Sequence, residues 1–369
     1  MRKILHIQVL PKLSGVQKVS LEILKSLPNE EYEKWILFSD TIDCGDKEEC
    51  TRQFEAIGAK VIFSKKMRRE ICSQDLAATK ELYDLFKKEK FDIVHTNSTK
   101  PGIIGRIAAT MAGVPLVIHT VHGLAFHKFV KFPRWQFYWL CEMFASLFCH
   151  KIALVNSYYQ KHFKWLKRKP VTIYNGIDFN LLPPHKSHSN KNEDKINILC
   201  VGRLDTPKDP LTLLAAARLV IQQHPEAHFT FVGDGELYEQ CREYIQKYQL
   251  ESNVNMTGWL NDVTDYYQTY DIFALSSIYE SFGLIFLEAG YYHLPTVATN
   301  VEGIPEVVAD GETGLLCNPR DPETLAKNIV YLIEHPEERK RIGDNAYNRV
   351  TSLFTSEKMV QAYKKLYEE

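Results

Sequence analysis

Two carboxylates bracket a glycine turn in the segment Ser276-Ser277-Ile278-Tyr279-Glu280-Ser281-Phe282-Gly283-Leu284-Ile285-Phe286-Leu287-Glu288-Ala289. An apolar run, Ile272–Leu275, ends just before it, and an amphipathic helix is expected to begin near Gly283. The free backbone N–H groups at such a helix start form an anion site, and the helix dipole adds to it. Gly283 carries no side chain that would block a phosphate. Glu288 falls about one to two turns into the helix, within reach of a ribose diol. Glu280 precedes the helix and is expected to face a ligand cleft. The plainer reading is a solvated Glu280 and a helix-interior Glu288. The apolar neighbours of Glu288 (Leu284, Phe286, Leu287 and Ala289) weigh against it.

Other segments carry compatible chemistry. Val201-Gly202-Arg203-Leu204-Asp205-Thr206-Pro207-Lys208-Asp209 follows an apolar run. A guanidinium and an ammonium at a strand's carboxyl end suit a diphosphate, although a solvated loop with ordinary charges reads equally well. Phe231-Val232-Gly233-Asp234-Gly235-Glu236 ends a strand in Gly-x-Gly. This lets backbone approach a nucleotide, or simply makes a tight turn, and it is not a full dinucleotide fingerprint. Asn300-Val301-Glu302-Gly303-Ile304-Pro305-Glu306 is another glycine turn opening a helix, as fit for a plain helix start as for a ligand. In the first half, Leu13-Ser14-Gly15-Val16-Gln17 could lay amides on a phosphate or sugar, and His119-Thr120-Val121-His122-Gly123 brings histidines to a strand end. Residues three apart at a strand end do not share a face, so His119 and His122 are not read as metal ligands. A structural role is the plain alternative for either. No Asp-x-Asp occurs. A diphosphate here is expected to be neutralised by Arg, Lys and a helix dipole, with no metal cofactor.

Positioning these groups requires strands and helices in alternation. Strands are expected at Lys3–Leu10, Trp35–Ser39, Lys60–Phe63, Asp92–His95, Pro115–Thr120, Lys151–Asn156 and Val171–Tyr174. The pattern restarts at Ile196–Val201, His228–Val232, Val254–Thr257, Ile272–Leu275 and Thr296–Thr299. Helical periodicity fills the gaps, for example at Val16–Leu27, Arg134–Phe148, Tyr158–Trp165, Pro210–His224, Leu284–Tyr292 and Pro336–Thr351. Crossover helices mean parallel sheets. Leu182–Asp194 has linker composition. The expectation is α/β: two Rossmann-like doubly wound domains, 1–180 and 195–369, joined by a linker at 181–194. The last helix is a candidate to pack back on the N-terminal domain. Such sheets bind ligands beyond the carboxyl ends of their strands, which places the cleft between the domains.

Composition narrows the function classes. The chain has 369 residues, 45% of them hydrophobic and 25% charged, with a formal net charge of −1. That is an ordinary globular protein with room for two cores. It lacks the strongly basic balance of a nucleic-acid binder. Eight scattered cysteines include no Cys-x-x-Cys pair, so neither a zinc site nor a disulfide framework is expected, and reduced thiols are. The first residues, MRKILHIQVLPKLSG, are interrupted by His6 and Gln8 and read as a buried strand rather than a signal peptide. No run is long enough to span a membrane. A cytoplasmic protein is expected, at most peripheral on a membrane.

Taken in order, these segments resemble the retaining GT-B glycosyltransferases of the family 4 type. The resemblance rests chiefly on the Glu-x7-Glu of Glu280 and Glu288 around Ser281-Phe282-Gly283. It is joined by Gly202-Arg203-Leu204 with Lys208, Val232-Gly233-Asp234-Gly235 and Gly303-Ile304-Pro305-Glu306. In the first half Asp92-Ile93-Val94-His95-Thr96-Asn97-Ser98, His119-Thr120-Val121-His122-Gly123 and Tyr174-Asn175-Gly176-Ile177-Asp178 look like the bacterial capsule and O-antigen members. The resemblance implies a nucleotide-sugar donor, UDP-linked, held mostly by the C-terminal domain. Arg203 and Lys208 would hold the diphosphate with the Gly283 and Leu284 amides and the Gly15 loop. Gly233 and Phe282 fall in the same donor-binding set. Glu288 would hold the ribose, Trp259 the base, Glu280 the sugar hydroxyls, and His122 the far side of the sugar. In this family the leaving diphosphate is thought to help take the acceptor proton. The usual double glycine after the first strand is here Ser14-Gly15.

The resemblance further implies an undecaprenyl-diphosphate-linked saccharide acceptor, no nucleic-acid partner, and a place on the cytoplasmic face of the inner membrane. The basic cluster Lys65, Lys66, Arg68 and Arg69, and the mixture Lys128, Phe129, Lys131, Phe132, Arg134 and Trp135, suit an anionic membrane surface. A solvated loop and a helix packed on the domain suit them too. The expected activity is sugar transfer in surface-polysaccharide synthesis. The rivals are a GT-B-shaped UDP-sugar 2-epimerase and a non-catalytic nucleotide-sugar-binding subunit.

Overall fold

The structure is a computed structural model that describes residues 1–42, 47–68, 73–127, 130–185 and 195–368. Two compact units divide the chain: Met1–Asn175 with Ser356–Glu369, and Gly176–Thr355.

In the first unit seven parallel strands, β1 (Arg2–Ile7), β2 (Tyr32–Ser39), β3 (Lys60–Ser64), β4 (Ile93–Asn97), β5 (Leu116–Val121), β6 (Lys151–Leu154) and β7 (Val171–Thr172), lie in the order β3-β2-β1-β4-β5-β6-β7. The order reverses at β1, so the gap between β1 and β4 is the switch point. Alternate residues of each strand feed two cores. Ile4, Ile36, Ile93 and Ile118 point to one, closed by Met359, Tyr363 and Leu366 of the helix Ser356–Glu368. Leu5, Leu37, Val94 and Val117 point to the other, against the helices Asp75–Glu89 and Thr99–Ala112.

The polar residues inside this sheet form one hydrogen-bonded chain. His6 shares hydrogen bonds with Ser20 Oγ and Tyr367 Oη, both at 3.0 Å. His95 shares them with Tyr367 Oη and Thr120 Oγ1, both at 2.7 Å. Thr120 Oγ1 also meets Tyr363 Oη at 3.2 Å. Of the two residues that break up the apolar N-terminal run, His6 thus ties the first strand to the helix that holds Tyr367, and Gln8 bonds to Val16 O and Ser20 Oγ beside it.

In the second unit six parallel strands, β8 (Ile196–Val201), β9 (Ala227–Val232), β10 (Val254–Gly258), β11 (Ile272–Leu275), β12 (Thr296–Thr299) and β13 (Gly314–Cys317), lie in the order β10-β9-β8-β11-β12-β13. The switch point falls between β8 and β11.

Several expectations change. The chain crosses between units at Asn175–Gly176, ahead of the expected linker, because residues beyond it bond within the second unit. Ile177 N donates to Phe354 O at 3.2 Å, and Tyr292 Oη donates to Pro183 O at 3.0 Å. Residues 186–194 of the expected linker lie outside the described residues, as do Arg69, Lys128 and Phe129. The final helix, by contrast, groups with the first unit, the placement for which the sequence makes it a candidate, and its Tyr363 and Tyr367 bond there. The expected helix Tyr158–Trp165 is only a 3₁₀ turn, Tyr158–His162. The strand expected at Val171–Tyr174 shrinks to Val171–Thr172 at the sheet edge. The strand Gly314–Cys317 and the helix Lys47–Ala56 were not anticipated; the helix is strongly polar and buries only Cys50 and Phe54.

Candidate active site

The sheet order of the second unit arranges the separate motifs side by side. Trp259 follows the edge strand β10, Gly233 follows β9, Arg203 follows β8, Glu280 follows β11, and Asn300 follows β12. Neighbouring strands are about 4.8 Å apart, so segments up to about 100 residues apart in the chain meet along one edge.

Glycine is required at two points. Gly233, at φ +146°, passes so close to β8 that a Cβ would stand 1.9 Å from the Gly202 carbonyl oxygen. Gly283, at φ +81°, is the residue before the helix Leu284–Tyr291, and a Cβ there would collide with the Phe286 ring at 2.6 Å. A left-handed glycine lets the chain turn sharply into that helix, whose first amides have no partner in the α-helical ladder and no side-chain cap.

Lys208 reaches from the loop after β8 to the loop after β11, where its ammonium donates to Glu280 Oε2. Only 17% and 13% of the two side chains are exposed. The loop is fastened by Ser276 Oγ, which donates to Asp209 O at 2.6 Å, and by Ile278 N, which donates to Pro207 O at 2.9 Å. Gly303 N donates to the backbone carbonyl of Glu280 at 3.2 Å, so the Asn300–Glu306 turn is tied to the main chain of the same residue. Arg203 lies in the open, 61% exposed, with its guanidinium 2.8 Å from Asp205 Oδ2.

Glu288 is half-buried in the second turn of its helix, beside the wholly buried Tyr267. Burial first, and the Glu288 carboxylate second, hold the Tyr267 phenol well above its ordinary pKa. Tyr292 is pushed up to about 12, mainly by burial. Phe282 turns its ring into the core against Phe354, 5.6 Å between centroids, and so away from the strand edge that carries Lys208 and Glu280. Trp259 is 56% exposed, and its indole N–H donates to Asn261 Oδ1 at 3.2 Å.

In the first unit Gly15 opens the helix Gly15–Lys25, with Ser14 before it, and both are exposed. His122 lies just past β5, almost fully buried, with Nε2 3.0 Å from Asn97 Oδ1 at the end of β4. Nε2 donates to that oxygen, which leaves Nδ1 as the acceptor. Burial pushes the His122 pKa down to about 3, so the ring is neutral. His119 is a core residue. It shares a hydrogen bond with Thr96 Oγ1 at 2.9 Å and lies 3.8 Å from Glu142. Among the described residues no group of three or more His, Cys, Asp or Glu is placed to hold a metal ion.

Sequence reasoning assigns no role to Tyr267, Asn97 or Ser276, although the last two stand within motifs that it singles out. Each acts by supporting another residue across the fold.

Two parallel sheets of Rossmann type, the second with a glycine-lined strand edge that carries Arg203, Lys208 and Glu280, are the architecture of the GT-B class. Comparison with known proteins agrees. Residues 13–181 match the family described as Glycosyltransferase Family 4, and residues 183–349 match Glycosyl transferases group 1. Over 99% of this chain and 96% of its own length, an Escherichia coli protein is 33% identical, the UDP-Gal:alpha-D-GlcNAc-diphosphoundecaprenol alpha-1,3-galactosyltransferase. The Staphylococcus aureus capsular polysaccharide biosynthesis glycosyltransferase CapM is 27% identical over 99% of this chain and 97% of its own. The crystal structure of Anabaena HepE in complex with UDP and glucose has the same fold, at a TM-score of 0.83 and 20% identity over the whole of both chains. The chain belongs to glycosyltransferase family 4, and it is a glycosyltransferase.

Proposed function

We propose that this glycosyltransferase moves a hexosyl group from a UDP-sugar to a hydroxyl of a polyprenyl-diphosphate-linked saccharide, with retention of configuration, in the making of a bacterial surface polysaccharide. The bond from the sugar C1 to the β-phosphate oxygen breaks, and a bond from C1 to the acceptor oxygen forms. The acceptor proton leaves on the released diphosphate. The observation that carries this is the Lys208–Glu280 pair beside the helix that opens at Gly283. It offers a cation and free amides for the charge that builds on the leaving diphosphate, a contribution of about 3–4 kcal/mol per well-placed donor. Arg203 is the second cation, Glu288 the ribose acceptor, Glu280 and His122 the contacts to the sugar, and no metal takes part.

The E. coli relative, named for UDP-galactose and a diphosphoundecaprenol-linked acceptor, supports the uridine donor and the lipid-linked acceptor. Retention rests on the family resemblance. The test is nucleotide release from a panel of UDP- and GDP-sugars, UDP-galactose first, with and without a synthetic short-chain polyprenyl-diphosphate-GlcNAc. Release of UDP that needs the acceptor, with an axial new linkage by NMR, is expected. Conversion of the sugar nucleotide without acceptor would point to an epimerase. Binding without turnover in the presence of acceptor would point to a non-catalytic subunit.

A further inference from the structure

The helix Arg134–Ala145 is turned inside out relative to a surface helix of a soluble domain, which puts its polar side outward. Its one carboxylate, Glu142, points inward to Arg106, with Oε1 and Nη1 2.9 Å apart and both side chains almost wholly buried. Phe137, Leu140 and Phe144, with Leu147 in the turn that follows, recur at helical spacing and are 51%, 57%, 56% and 64% exposed. The helix is fixed in this orientation from beneath. Met143 packs with Phe163 and Tyr159, and Trp165 Nε1 lies 2.6 Å from Met143 Sδ. An outward apolar face of this kind marks an interaction surface.

Charge identifies the partner. Residues 130–170 carry eight Lys or Arg and one acidic residue, the buried Glu142. Lys161, Lys164, Lys167, Arg168 and Lys169 are all exposed, on the segment that Trp165 and Phe163 tie to the helix. Lys131 and Arg134 are exposed at its start. A symmetric contact with a second copy would set this basic segment against itself. An anionic lipid surface satisfies both parts: the apolar residues enter the acyl boundary and the basic residues meet the headgroups.

We propose that the outward face of Arg134–Ala145, with the Lys161–Lys169 segment, is the surface by which this protein docks on an anionic membrane. The proposal builds on the lipid-linked acceptor proposed above and identifies where the protein meets the bilayer that holds it. It also separates two clusters that the sequence leaves equivalent. Lys65, Lys66 and Arg68 follow β3, at the opposite edge of the sheet from β6 and β7, about 25 Å away.

The test is co-sedimentation of the full chain with phosphatidylcholine vesicles, with and without about one third phosphatidylglycerol, in the absence of donor and acceptor. Binding to the anionic vesicles alone is expected. Replacing Lys161, Lys164 and Lys167 with Ala should weaken it roughly a hundredfold, and the pair F137S/F144S should weaken it at least tenfold. All five positions are exposed, and unchanged thermal melts would confirm folding. Both variants should keep transfer to a water-soluble short-chain acceptor, so failure of the docking surface is distinguishable from failure of the proposed reaction. Absence of vesicle binding, or binding that the variants leave intact, would overturn the proposal. So would a dimer in sedimentation analysis that F137S/F144S dissolves, since the face would then belong to a second copy.

Discussion

Lys208 and Glu280, 72 residues apart in the chain, meet as a hydrogen-bonded ion pair at the carboxyl ends of two strands that adjoin in the sheet. Without a ligand each charge is matched by the other. In the proposed reaction an arriving diphosphate would exchange one anionic partner of Lys208 for another and release Glu280 toward the hydroxyls of the sugar. The pair holds the cation ready without a buried unpaired charge.

Lys208→Ala should lower kcat by about 10²–10³. It also leaves Glu280 without its cation, which should reduce stability by about 1–2 kcal/mol. Adding Glu280→Gln to that variant should restore most of the stability and none of the activity. Steady-state kinetics and urea melts of the two variants check both halves. A double variant with recovered turnover would place the chemistry elsewhere.

Glu288 and Tyr267 make a second testable pair. Glu288→Ala should weaken UDP affinity about tenfold to a hundredfold, the range for losing a hydrogen bond to a charged acceptor. Tyr267→Phe should keep the fold and weaken UDP binding by less, because it only frees the carboxylate from its neighbour. Calorimetric titration with UDP separates the two effects. Unchanged affinity in Glu288→Ala would remove that residue from the site.

The C-terminal helix should be indispensable to the first unit. Tyr367 Oη serves both His6 and His95, so Tyr367→Phe leaves two buried ring nitrogens short of a partner. The expected cost is about 1–3 kcal/mol by denaturant melts. Ending the chain at Thr355 would remove Met359, Tyr363, Leu366 and Tyr367 at once, uncover the core face that Ile4, Ile36, Ile93 and Ile118 share with them, and should give insoluble protein. A soluble, cooperatively folding truncation would show that the helix is dispensable.

The alternation of short apolar runs with longer amphipathic ones made both parallel sheets legible, because strands buried on both faces leave a strong signal. The motif at Glu280–Glu288 was legible for a similar reason: its residues are close in sequence and belong to one strand–turn–helix. What could not be read depends on partners far away. Nothing near Tyr367 says that it bonds to His6, 361 residues earlier. The helix Arg134–Ala145 was legible as a helix, but its orientation follows from Arg106 on another element. The ring of Phe282 lies in the core against Phe354, although its motif reads as a ligand-binding one.

Activity should persist in excess chelator. The cations at hand for a diphosphate are Arg203 and Lys208, and the helix opening at Gly283 adds its dipole. Initial rates with and without EDTA, then with added manganese, check this. Complete loss that manganese restores would contradict it.

The pH dependence of stability should be set largely by buried histidines. Burial pushes His6 and His122 down to about 3 and holds His95 and His119 well below the usual range. In the unfolded chain a histidine takes its proton near 6.5. Above that pH neither state is protonated, and the fold keeps its full stability. As pH falls below it, the unfolded chain binds protons that the folded one refuses, so stability drops by about 1.4 kcal/mol per pH unit for each histidine. The loss should run from about pH 6.5 down toward 3, and these four rings together should make it steep. Denaturant melts between pH 7.5 and 4.5 measure the slope. Histidine ring NMR on the folded protein shows which rings stay neutral, and a His6 or His95 that titrates near 6.5 would mean that the Tyr367 network is open to water.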